Sequence, residues 1–500
     1  MGRNGPNLLR LASLALLLGA VVLFFVELLA FSRQRARLPE GLTIAGVSVG
    51  GLEQTEALQR LLQTYSTPLE LYYGEQLIVV QPSVVGFQLD AEAMLAAGEL
   101  ARTRSDFWAG FWDYLWSRPA DPQSVPVRAE FSQAQLQSLL ADIATRYDQP
   151  ANPSQPVPGS PEFQAGSAGR ALDRGRAAEL VGEVLNAPSN RRVLLPIASS
   201  DPGRPGLQAL ETLLKQNLDV AEFNGMTVVY LMDLRTGEEL HFGYFHNQDL
   251  NVVPDVAFDA ASTIKIAIAA AYFRYHDQPL DEESDRWLDQ MITESGNDPA
   301  NWLMEEMDFN RGPTLVTDTL FDLGLSSSYI VAWFENPLRF TNLEQLIVAA
   351  PPGTPANRRS DINTRPNTLN QTTASDLGTL LADLYACGAG GGALLAAFPD
   401  EIKPSECRQV LDLLAQNKIA WLLEASVPDG TRVAHKHGWT QSPLNFISDA
   451  GIIYSPGGDY VLSMFLWNER EMVWEPTSRL FAQLGRAVYN YFNPPISVPG

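Results

Sequence analysis

Apolar residues fill one stretch near the N-terminus almost without interruption. From Leu11 to Phe31 the only charged residue is Glu27, and this run of 21 residues is long enough to cross a bilayer as a helix. The run exceeds the apolar core of a secretory signal, and no small-x-small cleavage site follows it directly. We therefore expect an uncleaved membrane anchor. Arginines lie on both sides of it, so the positive-inside rule does not decide its orientation.

Residues 41–199 show short strand-like and helix-like patterns in alternation. Two apolar runs flank Gly74 as in a hairpin. Asp90 and Asp173 stand where two of the helices need an N-cap. The helices are predicted near 55–63, 91–102 and 174–185. Five prolines in 150–161 predict a loop. The whole pattern is typical of a small α+β domain.

Residues 107–116 are dense in aromatic side chains. Trp108, Trp112 and Trp116 are four residues apart and would share one side of a helix. Such a surface could stack on sugars or rest at a membrane interface. The alternative, which we favour, is that the stretch supplies the core of a small domain.

After a linker-like stretch at 199–206 the elements become longer. The pattern predicts a helix at 207–218 and strands at 226–234, 239–245, 447–454 and 460–467. We divide the chain into a cytoplasmic stub, anchor and stalk at 1–40, a small domain at 41–199 and a larger domain at 200–500.

Composition and charge narrow the range of functions. Five hundred residues predict two or three domains, and 45% apolar with 19% charged residues is typical of a globular chain. The net charge of −23 argues against a nucleic-acid partner, because phosphate binding needs clustered lysine and arginine. The cysteines are Cys387 and Cys407, and we favour a disulfide between them, as in an exported chain, over two buried thiols.

The alanine-rich run at 261–271 carries the first candidate chemistry, because Ser262 and Lys265 stand three residues apart at its start. On a helix such residues share a face, and a serine hydroxyl becomes a good nucleophile when a neighbouring base takes its proton. A lysine is that base only when burial or a nearby cation lowers its pKa. The chain has five lysines among its 35 basic residues, and arginine could not act as the base. The alternative is an ordinary helix start with a solvated lysine.

Two further motifs follow in order. Ser295 and Asn297 place a hydroxyl and a carboxamide on a loop between helices, where they could relay a proton and hold a substrate amide. An ordinary helix N-cap would use the same residues. On a predicted edge strand, Lys436 offers a cation for a carboxylate, and Gly438 allows close approach to the backbone. The alternative there is a solvated strand whose charge prevents pairing.

These sequence patterns resemble two known protein families. Residues 41–199 show Gly-Val-Ser-Val-Gly-Gly, a helix, a hairpin, Val-Gly-Phe-x-Leu-Asp and then Gly-Arg-x-Leu-Asp. This order resembles a peptidoglycan-binding domain of exported cell-wall proteins, which implies contact with the cell wall. Ser-x-x-Lys, Ser-x-Asn and Lys-x-Gly within residues 207–492 resemble the class A β-lactamase domain. That resemblance implies an antiparallel sheet flanked by helices, an all-helical lobe, and neither metal nor cofactor.

The second resemblance implies a role for each motif residue. Ser262 would be the acylated nucleophile and Lys265 its base or proton shuttle. Ser295 would relay a proton to the leaving amine, and Asn297 would bind the substrate amide. Backbone N–H groups of Ser262 and Trp439 would form the oxyanion hole. The substrate-binding strand would comprise Lys436, which binds a carboxylate, with His437, Gly438 and Trp439.

The sequence departs from that family in several places. Gly296 stands where the family has Asp, and His437 where it has Thr or Ser. The Glu-x-x-Leu-Asn motif, whose glutamate drives deacylation, is missing, and Pro366 takes the place of the glutamate in the nearest similar string. The acids of this region, none in the family's context, are Glu335, Glu344 and Asp361.

The sequence therefore predicts a membrane-anchored, extracytoplasmic serine acyl-hydrolase of the class A β-lactamase type. Its partners would be the cell wall and a β-lactam or a peptidoglycan stem peptide. The alternatives are a penicillin-binding or DD-peptidase-like protein, a cell-wall-binding module without turnover, and a cytoplasm-facing sensor. If no carboxylate replaces the missing glutamate, acylation would be fast and deacylation slow.

Overall fold

A computed structural model describes residues 5–104, 106–119, 121–335 and 352–495 of the chain. Two compact units form, one from Met1–Ala151 and Ala168–Asp201, the other from Asn152–Ser167 and Pro202–Gly500. The predicted class, a mixed α and β chain with an apolar N-terminal helix, is confirmed.

The helices of the described residues are α1 (Gly5–Arg35), α2 (Gln54–Tyr65), α3 (Ala91–Arg104), α4 (Phe107–Leu115), α5 (Gln133–Tyr147), α6 (Arg174–Leu185), α7 (Leu207–Val220), α8 (Lys265–Tyr275), α9 (Glu282–Thr293), α10 (Asn297–Met307), α11 (Gly312–Asp322), α12 (Ala374–Gly388), α13 (Ala393–Ala397), α14 (Pro404–Leu414) and α15 (Trp474–Phe492). The strands are β1 (Leu42–Ile44), β2 (Val47–Ser48), β3 (Leu69–Tyr73), β4 (Gln76–Val80), β5 (Gln88–Leu89), β6 (Gln123–Val125), β7 (Ala129–Glu130), β8 (Gln155–Pro156), β9 (Phe163–Gln164), β10 (Gly169–Leu172), β11 (Arg192–Leu194), β12 (Ile197–Ser200), β13 (Met226–Asp233), β14 (Glu239–Phe245), β15 (Gln248–Leu250), β16 (Phe258–Asp259), β17 (Tyr329–Ile330), β18 (Asn370–Thr372), β19 (Arg432–Trp439), β20 (Phe446–Tyr454) and β21 (Tyr460–Trp467).

The first unit contains the elements that its pattern predicts. Strands β3 and β4 pair antiparallel about Gly74, whose φ of 59° lies in the left-handed region that glycine adopts without strain. Asp90 accepts a hydrogen bond from the Ala93 backbone at the start of α3, and Asp173 caps α6 in the same way. The role of this unit in binding peptidoglycan stays a prediction.

Helix α1 is, among the described helices, the one that is long and apolar enough to cross a membrane, over Arg10–Arg35. Signal sequences share this property. Helix α4 contains the aromatic stretch, and here the interpretation as a domain core is wrong for the tryptophans. Trp108, Trp112 and Trp116 are 54%, 53% and 70% exposed, whereas Phe111 is fully buried.

The proline-rich stretch belongs to the second unit rather than to the small domain. Strands β8 and β9 pair as a short hairpin where the prolines predicted a loop. Phe163 is buried in the same apolar cluster as α7 and α15. The carbonyls of Ser160 and Pro161 accept hydrogen bonds from the Asn217 and Asn490 side chains, which fixes the segment to these helices.

A six-stranded antiparallel sheet, in the order β15-β14-β13-β21-β20-β19, organises the second unit. One face packs on α7 and α15, and the other packs on the helical lobe around α8 and α12. Helix α8 is buried from Lys265 to Phe273, and its alanines allow the neighbouring elements to come close. Strand β19 is the free edge next to the start of α8. The lobe also holds a disulfide, which joins Cys387 of α12 to Cys407 of α14.

Candidate active site

Ser262 lies in the turn Ala261–Ile264, directly before α8, instead of on the helix as the sequence predicts. The turn still brings the two groups together, because the Lys265 Nζ atom is 3.0 Å from the Ser262 Oγ atom. The Asn370 side chain donates a hydrogen bond to the Ala261 carbonyl and so holds the turn in place. The serine and the lysine therefore have the geometry of a nucleophile and its base.

The Lys265 amine is enclosed by polar acceptors inside a buried site. Its Nζ atom lies 2.7 Å from the Ser295 carbonyl oxygen and 2.7 Å from the Asn297 Oδ1 atom, and the Phe334 ring covers it at 4.8 Å. Burial, together with the nearby Lys436 cation, lowers the pKa of Lys265 well below its ordinary value, although the Glu335 carboxylate opposes this shift. The amine can therefore be neutral and basic at a pH where an exposed lysine is protonated.

The Ser295 hydroxyl lies between the two lysines. Its Oγ atom is 2.8 Å from Lys436 Nζ and 3.5 Å from Lys265 Nζ. The backbone at Ser295 has a φ of 61°, a conformation that is uncommon outside glycine and that clusters at functional sites. This conformation directs both the carbonyl and the hydroxyl of one residue at the lysines. The hydroxyl is thus placed to carry a proton between them.

The glycine at position 296 has a local structural reason. Gly296 is the N-cap of α10, and a Cβ atom there would come within 2.9 Å of the Pro299 ring. A side chain such as the aspartate of the family would therefore have to displace the first turn of α10. The departure from the family pattern is a packing requirement of this helix and leaves Ser295 and Asn297 in place.

Strand β19 supplies the opposite wall of the site. Lys436 is fully buried, and burial lowers the pKa of its amine to about 7, an effect that the Asp449 carboxylate partly offsets. A Cβ atom at Gly438 would lie 3.0 Å from the Ser262 backbone nitrogen, so only glycine allows the strand to approach the nucleophile this closely. The amine and the glycine backbone thus converge on the same side of Ser262.

The backbone N–H of Trp439 points away from the sheet. Strand β19 is an edge strand, and the Thr440 N–H bonds the Phe446 carbonyl of β20. Because alternate N–H groups of an antiparallel strand point to opposite sides, the Trp439 N–H points toward the site. Together with the Ser262 N–H it would form the pair of donors that an oxyanion hole requires, as the resemblance implies.

The side chains of His437 and Trp439 lie on the other face of β19. The two rings stack at 4.8 Å, and the His437 Nδ1 atom is 3.3 Å from the Asn417 amide. Burial, followed by the Lys436, His435 and Lys265 cations, lowers the pKa of His437 to about 2. The imidazole is therefore neutral and too weakly basic to act as a general base. Lys436 and Gly438, not the two rings, face the nucleophile.

Two buried residues behind this strand were not predicted as site residues. His435 and Asp449 are both fully buried, and the His435 Nδ1 atom is 2.9 Å from an Asp449 oxygen. Burial opposes the charge on His435, but Asp449 and Glu424 outweigh it and raise the pKa of the imidazole to about 9. The sequence signal is weak, since Asp449 is simply the single acid of strand β20. The pair stabilises the strand that presents Lys436.

A carboxylate is present where the sequence indicated none. The Glu335 Oε1 atom is 2.6 Å from the Asn297 Nδ2 atom, and the Oδ1 atom of the same amide accepts from Lys265. Asn301, one turn further along α10, holds the adjacent Phe334 by hydrogen bonds to its N–H and its carbonyl, at 2.9 and 3.3 Å. Glu335 is not part of a Glu-x-x-Leu-Asn motif, but it lies beside the predicted catalytic groups.

The other acids considered for this role lie elsewhere. Asp361 is exposed and forms an ion pair of 2.7 Å with Arg359. Glu344 lies outside the described residues. Of the string Pro366–Asn370, Asn370 serves the site in another way, through its bond to the turn of the nucleophile. Glu335 is thus the one carboxylate that the described structure places beside the predicted catalytic groups.

Comparison with known proteins gives one family match and several structural similarities. Residues 285–492 match the Beta-lactamase enzyme family. PBP-A is similar in structure, with 21% identity, a TM-score of 0.40, and coverage of 59% of this chain and 99% of that chain. A PBP-A mutant solved as an acyl-enzyme complex with penicillin G is 21% identical, with a TM-score of 0.40, and the similarity covers 58% of this chain and 99% of that chain. An ancestral class A β-lactamase is 21% identical, with a TM-score of 0.38, and the similarity covers 55% of this chain and 98% of that chain. No curated protein matches the chain.

The family match makes the second unit similar to serine acyl-hydrolases of the β-lactamase type. The matched segment, residues 285–492, runs from α9 to α15. The match begins within α9, so that Ser262 and Lys265 precede it. The assignment of these two residues depends on the geometry of the site.

Proposed function

We propose that the chain is a membrane-anchored serine acyl-hydrolase of the class A β-lactamase type, acylated at Ser262. Its substrate would be a β-lactam or a peptidoglycan-like amide that carries a carboxylate. The observation that supports this most strongly is the buried Lys265 amine, 3.0 Å from the Ser262 hydroxyl and with a lowered pKa. A structural lysine would have no need of both features.

Acylation follows from the contacts of these groups. Neutral Lys265 takes the Ser262 proton while Oγ attacks the carbonyl carbon, and the N–H groups of Ser262 and Trp439 stabilise the resulting oxyanion. When the carbon–nitrogen bond breaks, the departing nitrogen receives a proton. Ser295 delivers it, because its hydroxyl contacts both lysines. The product is an ester on Ser262, and Lys265 is again neutral.

Deacylation requires a base for the attacking water, and Glu335 supports this role. Its carboxylate is bound by the same Asn297 amide that binds Lys265. Glu335 would take a proton from water as the oxygen attacks the ester carbon. When the ester carbon–oxygen bond breaks, that proton would pass by way of the Lys265 amine to the departing Ser262 Oγ atom, so that Glu335 is again a carboxylate, Lys265 again neutral and Ser262 again a hydroxyl. This contact favours repeated turnover over the slow deacylation that the sequence predicts.

The titration of Lys436 predicts how kcat/KM should change with pH. Its pKa of about 7 means that the cation that binds a substrate carboxylate is lost as pH rises through that value. We expect kcat/KM for a carboxylate-bearing β-lactam to fall above about pH 7, approaching tenfold per pH unit. Protonation of Lys265 lowers kcat/KM on the acid side. The measurement is a pH profile of kcat/KM.

Lys436→Arg is the matched variant, because arginine keeps its charge across this range. It should remove the alkaline decline, and a methyl ester of the same substrate should lack that decline with the unmodified chain. An alkaline limb that is identical in Lys436→Arg would contradict the role of Lys436.

Packing of α1 supports an anchor that is retained. Phe31 is 9% exposed and lies against Phe107 and Phe111 of α4, with ring centroids 5.4 and 5.5 Å apart. Cleavage of α1 as a signal sequence would expose these rings to water. The hydrolase domain would then be extracytoplasmic, where the cell wall and β-lactams are available and where a disulfide persists.

Hydrolysis of a chromogenic cephalosporin tests the proposed function. We expect the full chain in detergent to convert many equivalents without a burst that stops near one. A burst of one equivalent followed by a slow phase would indicate a penicillin-binding protein instead. Absence of both hydrolysis and covalent adduct would leave a wall-binding module and would contradict the proposal.

A further inference from the structure

Helix α4 packs along the C-terminal part of α1. Phe111 contacts Phe24 at 5.4 Å between ring centroids, and Phe31 contacts Tyr114 at the same distance. The Tyr114 hydroxyl donates a hydrogen bond of 3.0 Å to Glu27, the one charged residue inside the apolar run. The acid in the predicted membrane segment thus has a partner, and that partner is on α4.

Three different sides of α4 have three different environments. At about 100° per residue, Trp108, Trp112 and Trp116 lie roughly 60–140° around the helix from Phe111, beside the face that contacts α1. All three are more than half exposed. Asp113 is on the side opposite Phe111 and forms an exposed ion pair of 3.2 Å with Arg118. The helix therefore has a face on α1, a tryptophan stripe and a polar side.

The length of the apolar run in α1 indicates where the stripe would lie in a bilayer. The apolar run of 21 residues is about 31 Å long at roughly 1.5 Å per residue, which matches a hydrocarbon core of about 30 Å. The contacts with α4 use Phe24 to Phe31, the last 10 Å or so of that run. Arg35 stands four residues after Phe31, with its guanidinium 5.1 Å over the Phe107 ring. Tryptophan is enriched at this depth, between apolar chains and head groups.

We propose that α4 is a membrane-interface helix that inserts Trp108, Trp112 and Trp116 into the lipid leaflet beside the outer end of α1. The occupant of this surface is the bilayer, because the stripe lies beside the α4 face that packs on α1, and α1 itself exposes apolar side chains such as Leu23 and Val26, at 63% and 53%. The inference rests on α1 being a retained anchor, as proposed above. Its consequence is that the first unit is held against the membrane by two elements instead of one.

A sugar-binding platform is the other use of such a stripe. Sugar sites add polar side chains that bond the hydroxyl groups next to the stacking ring. Here the charged residue of the helix, Asp113, is turned to the opposite side and is paired with Arg118. The geometry therefore favours lipid.

Quenching by brominated lipid tests the proposal with the full chain in phosphatidylcholine vesicles. Lipids brominated near the head-group end of the acyl chain should quench the fluorescence of the three tryptophans in the stripe. Because the chain has ten tryptophans, the total emission should fall by up to about three tenths. The triple Trp108→Phe, Trp112→Phe and Trp116→Phe variant should lose this quenching, and each single variant should lose part of it. Trp421→Phe is the matched control, since Trp421 is 51% exposed on the second unit, and it should leave the quenching unchanged.

Flotation of the same vesicles separates the two proposals. Chain that floats after carbonate extraction, but whose quenching is equal in the triple variant and the unmodified chain, would overturn the interface helix and keep the anchor. Chain that fails to float would overturn both. Emission changes caused by a soluble N-acetylglucosamine oligomer, and lost in the triple variant, would assign the stripe to sugar and would also overturn the proposal. If the triple variant misfolds, the single variants are compared instead, provided that their circular dichroism spectra match that of the unmodified chain.

Discussion

Glu335→Gln should convert the chain from an enzyme that turns over into one that stops at the acyl-enzyme. Glutamine still accepts the hydrogen bond from Asn297 but cannot take a proton from water. General-base assistance contributes about 10²–10⁴ in rate, which corresponds to roughly 3–5 kcal/mol of barrier. We expect the steady-state rate with a chromogenic cephalosporin to fall by that factor. A burst near one equivalent should appear, because acylation through Lys265 is intact.

Asp361→Asn is the matched control for this variant. Asp361 is also a carboxylate of the same part of the chain, but it is exposed and pairs with Arg359. Its removal should leave both the burst and the steady state unchanged. Undiminished steady-state turnover in Glu335→Gln would contradict the role of Glu335 as the general base, whether or not a burst is seen.

Ser262→Ala should abolish covalent labelling by a fluorescent penicillin and leave the fold intact. The variant removes the only atom to which the acyl group is attached in the proposed mechanism. The fold should persist because Ser262 lies half-buried in a turn that other groups hold, among them the Asn370 amide. Labelling on a gel and thermal unfolding are the two measurements.

Ser478→Ala provides the control, since Ser478 bonds only the Glu475 carbonyl on α15, outside the site. It should be labelled like the unmodified chain. Full labelling of Ser262→Ala would show that another residue is acylated. Loss of labelling together with loss of the thermal transition would point to misfolding. The Lys265→Arg variant, which keeps Ser262 but has no base beside it, should then be labelled far more slowly than the unmodified chain, and labelling at an unchanged rate would contradict the role of Lys265.

Local patterns were sufficient for most of the fold. Helix α7, strand β14 and strand β21 follow from the spacing of apolar residues, because each buries one face or both in the apolar layers on the two sides of the sheet. The proximity of Ser262, Lys265, Ser295 and Asn297 was predictable, because their spacing is short and each motif stands at the start of an element. Such signals need no knowledge of tertiary contacts.

Glu335 could not be found in this way, because nothing near it in sequence indicates its position. It reaches the site through Asn297 and Asn301, which stand one turn apart on α10 and bind the segment that carries it. The pair of asparagines is visible in the sequence, but its partner is more than thirty residues away. Long-range contacts of this kind are set by packing and not by local pattern.

The stripe of tryptophans also shows what local spacing cannot predict, here within one helix. Spacing by four predicted correctly that Trp108, Trp112 and Trp116 share one side of a helix. It could not tell which side is buried, because Phe107, Phe111 and Tyr114 have a helical spacing that is just as good. The neighbouring helix α1 decides the matter, since its phenylalanines pack on the second set.

Mass spectrometry of the trapped acyl-enzyme tests the central claim most directly. The Glu335→Gln chain is incubated with penicillin G, digested and mapped. The account predicts one penicillin added per chain, located on the peptide that contains Ser262. An adduct on any other residue, or an unmodified chain at a concentration of penicillin that labels known penicillin-binding proteins, would contradict it.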